Sequence, residues 1–252
     1  MALVSTLAIG DIHGNRRALD DLLLKLQSVV QREDTVVFLG DYIDRGPDAK
    51  GFLDSILAFK ASVPAEVVCL LGNHEDWLLR TYADFTRHSW VLGMEAFDTI
   101  ASYSREAAVE LRSTLEDAGP RLLAGGVALP YDLFFSVVPR SHLDFLQTLQ
   151  PYLRTPDALC VHGGLDPEIA DLDQQPRAAF LWGTDDFPDK YRGPHLVVYG
   201  HCGDCLMNSD GWPVPRIGAH AIGIDTIAHG VLTAIRLPDR CVFQSERFEI
   251  GR

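Results

Sequence analysis

The chain has 252 residues, 47% hydrophobic and 23% charged, with a mean hydropathy of +0.03. Such a chain can bury a sizeable core without disulfide or metal staples. Its 22 basic and 35 acidic side chains leave a formal charge of −13, which argues against nonspecific binding to nucleic acid or to an anionic membrane surface.

The first predicted element is the apolar run Leu7-Ala8-Ile9, which ends in Gly10-Asp11. Leu19, Leu22, Leu23, Leu26 and Val30 then recur at helical spacing. A second run, Val36 to Leu39, ends in Gly40-Asp41, and a second helical stripe carries Phe52, Leu53, Ile56 and Phe59. A third run, Val67 to Leu71, ends in Gly72-Asn73. Residues 76–150 are helical in pattern, broken at Gly119-Pro120 and Leu129-Pro130, and read as an α-helical insertion beside the site within one domain spanning residues 1–252.

Two more apolar runs follow: Ala158 to Val161 ends in His162-Gly163, and Leu196 to Tyr199 ends in Gly200-His201. Beyond Pro213-Val214-Pro215, the stretches 221–225, 231–236 and 241–243 are expected to form an antiparallel meander. Continuous aliphatic runs read as strands buried on both faces. Their alternation with helices predicts an α/β protein with a partly parallel sheet. Ligands of such sheets bind beyond the carboxyl ends of the strands, so the five polar clusters should converge.

Together the clusters supply Asp11, His13, Asp41, Asn73, His162 and His201. Carboxylates, imidazoles and a carboxamide suit manganese, iron or zinc better than the all-oxygen cages of calcium or magnesium. Six ligands exceed one structural zinc site and fit two ions sharing a carboxylate, as in two-metal hydrolases. In Gly10-Asp11-Ile12-His13-Gly14 the two ligands lie two residues apart and point the same way on an extended segment, and Asn15 is expected to cap the next helix. His74 adjoins a proposed ligand and is placed to protonate a leaving oxygen. Asp44 is expected to orient it, and Arg45 offers a planar fork for a phosphoryl group.

The blocks Gly10-Asp11-Ile12-His13-Gly14, Gly40-Asp41-Tyr42-Ile43-Asp44-Arg45-Gly46, Gly72-Asn73-His74-Glu75, His162-Gly163-Gly164 and Gly200-His201 resemble, in order, the signature of the PPP-family metallophosphatases. Ile100 to Tyr103 and Ile224-Asp225-Thr226 resemble segments of the bacterial members, so the likeness spans roughly residues 7–237. Five ordered blocks are far more specific than any one of them. Gly203 stands where other metallophosphoesterases carry a last histidine, which favours the PPP branch.

The resemblance implies a four-layer α/β/β/α sandwich with the helical insertion. It also implies in-line attack on phosphorus by a hydroxide that bridges two divalent ions, manganese first, with iron or zinc as alternatives. Asp11 and His13 would hold one ion, Asp41 would bridge, and Asn73, His162 and His201 would hold the other. Arg45 would bind phosphate, and His74 with Asp44 would serve the leaving group. The expected substrates are phosphoserine and phosphothreonine in proteins, or small phosphoesters, with no nucleic-acid or membrane partner. The alternatives are a diadenosine tetraphosphate-type hydrolase and, in another class, a metal-bound module without turnover.

Three positions depart from the family pattern. Leu71 precedes the third block in place of arginine, Cys202 replaces a threonine, and no arginine closely follows Trp182. Arg177, Arg192 and Arg216 are candidates to replace that second phosphate-binding arginine. His88, His142, His195, His220 and His229 match no block and read as surface or satisfied core residues. Trp77, Tyr82, Phe85 and Trp90 read first as packing of the insertion, and as a substrate groove second. Cys202 and Cys205 read as loop cysteines, with a redox pair as the alternative. No apolar run approaches the roughly 20 residues of a bilayer span. Met1–Gly10 lacks the basic start of a signal peptide, and five sparse cysteines suit a reducing compartment. The expected location is the cytoplasm.

Overall fold

The computed structural model describes residues 4–248, so the first three residues of the Met1–Gly10 stretch lie outside the described residues. The chain opens as β1 (Thr6–Ile9), α1 (Arg16–Leu26), β2 (Thr35–Phe38), α2 (Ala49–Ser62) and β3 (Glu66–Cys69). The three strands are parallel and in register, Thr6 beside Thr35 and Thr35 beside Glu66. Helix α1 buries the predicted stripe Leu19, Leu22, Leu23 and Leu26. Asp48 caps α2 by accepting a hydrogen bond from Gly51 N at 2.9 Å. Asn15 occupies the cap position of α1 but does not cap with its side chain. Its amide instead donates to the carbonyls of Ile12 (2.9 Å) and His13 (3.0 Å), bracing the tight turn in which Asn15 N also donates to Ile12 O.

Six helices follow: α3 (Asn73–Ala83), α4 (Ser89–Gly93), α5 (Phe97–Tyr103), α6 (Arg105–Ala118), α7 (Asp132–Phe135) and α8 (Arg140–Gln147). An aromatic cluster built from Tyr82, Phe85, Trp90, Tyr131 and Phe135 packs them together. His88 and His142 are satisfied core histidines. The first lies between Tyr131 Oη and the Val127 carbonyl, the second between Tyr103 Oη and Asp54. The chain returns beside β3 through hydrogen bonds that Leu71 and Gln150 make to each other's segments.

The remainder forms β4 (Tyr152–Arg154), β5 (Leu159–Val161), α9 (Arg177–Trp182), β6 (Val197–Tyr199), the small hairpin β7 (Leu206–Met207) and β8 (Pro213–Val214), then β9 (Arg216–Ile217), β10 (Ala221–Gly223), β11 (Thr233–Leu237) and β12 (Cys241–Gln244). Two five-stranded mixed sheets result, ordered β12-β11-β1-β2-β3 and β4-β5-β6-β10-β9. The expected meander is therefore divided. β11 and β12 do form an antiparallel hairpin, but β10 joins the second sheet, parallel to β6. Apolar strands buried on both faces carry no signal that assigns them to one sheet or the other.

Strand alternation explains the layers. Leu7 and Ile9, Val36 and Phe38, and Val67 and Cys69 face α1, α2 and the helical insertion. Between them Ala8, Val37 and Val68 face the second sheet, where they meet Cys160, Val198 and Ile222. Leu159, Val161, Val197 and Tyr199 face outward and are covered by Phe180 of α9 and by Phe187 and Tyr191 of the next loop. Every face of the central strands is thus covered, which accounts for their unbroken apolar runs. No helix among the described residues is long and apolar enough to cross a membrane.

Candidate metal centre

The five predicted clusters leave the carboxyl ends of β1, β2, β3, β5 and β6 and meet between the sheets. Backbone hydrogen bonds weld the first two loops together: Ile12 N and His13 N donate to the Asp41 carbonyl, and Gly14 N donates to Tyr42 O. His13, Asp41, Asp44, Arg45 and His201 all have positive φ, between 48° and 68°. Side chains rarely adopt that region, and each such residue stores roughly 1–3 kcal/mol of strain. Gly72 is required for a different reason. A Cβ there would strike the Asp41 backbone and side chain and the Glu75 carboxylate.

Asp41 lies at the middle. His13 Nε2 is 3.6 Å and His74 Nε2 3.8 Å from its Oδ2, and His162 Nε2 is 3.3 Å from its Oδ1. Among the described residues two groups have ligand atoms within metal-sharing reach, His13 with Asp41 and His74, and Asp41 with His162 and His201. Asp41 belongs to both. Asp11 stands beside them: its Oδ2 accepts from His201 N at 3.0 Å, and its buried Oδ1 has no hydrogen-bond partner. The group around His13 therefore includes His74 by distance, with Asp11 adjoining it.

The imidazoles are oriented from behind. His13 Nδ1 lies 3.0 Å from the Ile43 carbonyl and His162 Nδ1 3.0 Å from that of Leu39. Donation from Nδ1 leaves the Nε2 lone pair facing inward. Burial holds these rings neutral, pushing His13 down to about 3 and His201 to about 4, and lowering His162. A neutral imidazole is the form that binds a metal.

The donor set fits cations. Burial, together with the charges of Asp225 and Asp41, raises Asp11 well above the carboxylate range. Burial and Asp41 likewise push Asp225 up to about 6. The inward atom of the Asn73 carboxamide lies 3.2 Å from both Asp41 oxygens and 2.9 Å from His162 Nε2. As an oxygen it faces acceptors, which is favourable only with a cation among them; turning the amide would pair its nitrogen instead. Crowded buried carboxylates with only the half-exposed Arg45 nearby are costly unless positive charge joins them.

His74 is wholly buried, with Nδ1 2.8 Å from Asp44 Oδ2 and Nε2 without a hydrogen-bond partner. Burial works against its charge, but Asp41 and the Asp44 hydrogen bond outweigh it and raise its pKa. Asp44 is no surface partner of Arg45. It is fully buried and accepts from Trp90 Nε1 (2.9 Å) and Thr99 Oγ1 (2.6 Å), while its own N–H donates to Thr99 Oγ1. Arg45 Nη1 lies 3.1 Å from His13 Nε2.

Sequence reading missed the roles of Glu75, Asp225, Trp90 and Thr99. Glu75 is fully buried and accepts from three successive N–H groups, those of Asp41 (3.0 Å), Tyr42 (2.8 Å) and Ile43 (3.1 Å). Asp225 accepts from Gly203 N at 2.9 Å and so holds the loop after His201. Among the candidate second arginines, Arg192 donates to the carbonyls of Asp189 and Tyr191, and Arg216 pairs with Asp204 and Asp189. Arg177 pairs with Asp76 on α3. Cys202 is exposed as a residue, yet partial burial of its sulfur pushes the thiol up to about 12, which suppresses the reactive thiolate.

A family model described as calcineurin-like phosphoesterase matches residues 4–205. The chain is 25% identical, over 92% of its length and 88% of the relative's, to the asymmetrical bis(5'-nucleosyl)-tetraphosphatase PrpE of Oceanobacillus iheyensis. It is also 25% identical to a symmetrical bis(5'-nucleosyl)-tetraphosphatase of Legionella pneumophila, over 97% and 98% of the two chains. A crystal structure that bears the name of a diadenosine tetraphosphatase shares the fold, with a TM-score of 0.62 at 22% identity over 98% and 95% of the chains.

Proposed function

Because the chain belongs to the calcineurin-like phosphoesterase family, we propose that it hydrolyses phosphomonoesters with two divalent ions, phosphoserine and phosphothreonine in proteins first among them. In this reading Asp11 and His13 would hold one ion, Asn73, His162 and His201 would hold the other, and Asp41 would serve both. Manganese is the first choice, with iron or zinc as alternatives. Bound ions would supply Lewis acidity and lower the pKa of water.

The observation that carries the proposal is the His74–Asp44 pair. Asp44 holds Nδ1, so the proton available for transfer would sit on Nε2, which is buried and has no hydrogen-bond partner. With the ring oriented in this way, Nε2 would hand a proton to the leaving alkoxide. Arg45, half-exposed at the rim, would orient the phosphoryl oxygens through its fork. A module without turnover would have no use for a buried imidazole held by a carboxylate that Trp90 and Thr99 lock in place.

Dinucleoside tetraphosphate cleavage is the second reading, favoured by two relatives of that name that align over nearly their whole length. The test is hydrolysis by chelated and manganese-reconstituted protein of p-nitrophenyl phosphate, a phosphothreonine peptide and diadenosine tetraphosphate, with metal content measured alongside. Metal-dependent cleavage of both monoesters supports the first reading. Cleavage of the dinucleotide alone replaces it with the second, and no turnover with two metals bound rejects both. We place the protein in the cytoplasm.

A further inference from the structure

Trp182 closes α9 and is 40% exposed. Its indole meets the ring of His201 edge-on, at 5.2 Å and 89°, and leans on Trp77 at 5.5 Å. The partner Trp77 sits one turn along α3 from Asn73. Asn73, Asp76, Trp77 and Arg80 follow one another at helical spacing on a single face of that helix.

The indole is held firmly. At the start of α9, Arg177 Nη2 binds the nearly buried Asp76 at 2.6 Å, and Arg80 Nε lies 2.8 Å from the same carboxylate. At the other end, Gly163 N donates to Phe180 O, and a Cβ on Gly163 would press within 2.7 Å of the Trp182 and Gly183 nitrogens. Helix α9 is thus pinned to α3 by an ion pair and to the His162 loop by backbone contact. Core packing explains Trp77, which is partly buried. It does not explain a large apolar side chain left two-fifths exposed against a metal-site histidine.

We propose that Trp182, backed by Trp77, is a stacking platform for the nucleobase of a nucleotide phosphoester. The inference rests on the phosphoesterase reading and, within it, selects the second substrate class, nucleotides, over phosphoproteins. A rigid indole offers a π face at low entropic cost, and stacking tolerates any base because all bases are planar. The platform also supplies binding on the side where no second arginine follows Trp182. Arg177, engaged with Asp76, serves there to hold α9.

The test compares wild-type protein with Trp182→Leu and Trp182→Phe on manganese-reconstituted enzyme. The substrates are diadenosine tetraphosphate, phenyl phosphate and glycerol 2-phosphate. The preference for the dinucleotide over glycerol phosphate, read as a ratio of kcat/KM, should fall about tenfold in Trp182→Leu and recover in Trp182→Phe. Separately, adenosine titrated into the chelated full chain should quench tryptophan fluorescence saturably, and Trp182→Leu should abolish that quench. An unchanged ratio together with an unchanged quench overturns the platform. A loss confined to phenyl phosphate overturns the nucleobase assignment. If wild-type protein cleaves none of the three, the phosphoesterase reading fails, while the adenosine quench still decides whether the base binds.

Discussion

Replacing Glu75 by glutamine probes the part of the centre that touches neither a proposed ion nor substrate. One carboxylate oxygen accepts from Asp41 N and the other from Tyr42 N and Ile43 N, all within 3.1 Å, in a fully buried setting. Glutamine keeps one acceptor. Its best orientation serves Tyr42 and Ile43 and sets an NH2 against the Asp41 N–H, leaving a buried donor unmatched at a cost of about 1–3 kcal/mol. Burial and the charge of Asp41 push the Glu75 carboxyl up to about 8, so the metal-free protein loses little charge on substitution and should lie near 2 kcal/mol, roughly 4–8 °C in Tm. Cations at Asp41 would favour the ionised carboxylate, so the loss should be larger with manganese present. Asp41 holds a φ of 51°, and without its clamp the Asp41 carboxylate should wander and metal content should fall. Thermal melts of wild-type and Glu75→Gln protein, chelated and reconstituted, with metal analysis, read all three effects. Equal melting temperatures and equal metal content would refute the clamp.

Three further outcomes follow from the same geometry. Asp41→Asn should lose metal as well as turnover, whereas His74→Asn should keep its metal and slow turnover by about 10²–10⁴; metal lost only from the His74 variant contradicts the roles. Arg45→Ala should raise KM and weaken inhibition by inorganic phosphate, and unchanged values of both would remove it from phosphate binding. In the chelated protein, burial keeps His13 and His201 neutral down to about 3 and 4, while His74 holds its proton above the ordinary imidazole range. Histidine ring NMR between pH 8 and 5 should therefore show the first two silent and His74 gaining its proton early as pH falls; titration of His13 or His201 near 6.5 would contradict the burial argument.

What the sequence made legible has a common physical character. Asp11, Asp41, Asn73, His162 and His201 each follow an apolar run by one or two residues, so the strand itself carries them to one edge. His74 and Asp44 are read the same way from their neighbours. Trp90 and Thr99 are not, because they reach Asp44 from the helical insertion, 46 and 55 residues further along the chain. Helical periodicity names the buried face of such a segment but not what that face meets. β10 and β11 were misgrouped for a related reason: strands with both faces covered have no polar side to reveal their sheet. Asn15 shows the opposite failure, since residue type and position predict a cap while its amide is used to brace the turn at Ile12 and His13.

The charge distribution ties these parts together. Asp11, Asp41 and Asp225 are buried side by side, and the imidazoles of His13, His162 and His201 are held neutral by that same burial. Among the described residues only Arg45, half-exposed, brings a permanent positive charge to the group. Several kcal/mol of mutual repulsion and desolvation would be gained by spreading such carboxylates apart, yet positive φ angles, the Glu75 clamp and close glycine contacts hold them together. A backbone built to resist that relaxation makes sense when divalent ions complete the structure. Up to four positive charges would then replace the buried negative field with one that attracts a phosphoester, and a chain with a formal charge of −13 would present its substrate with a single cationic spot. Arg45 and Trp182 stand on either side of it, the first suited to the phosphoryl oxygens and the second to what the phosphate is attached to.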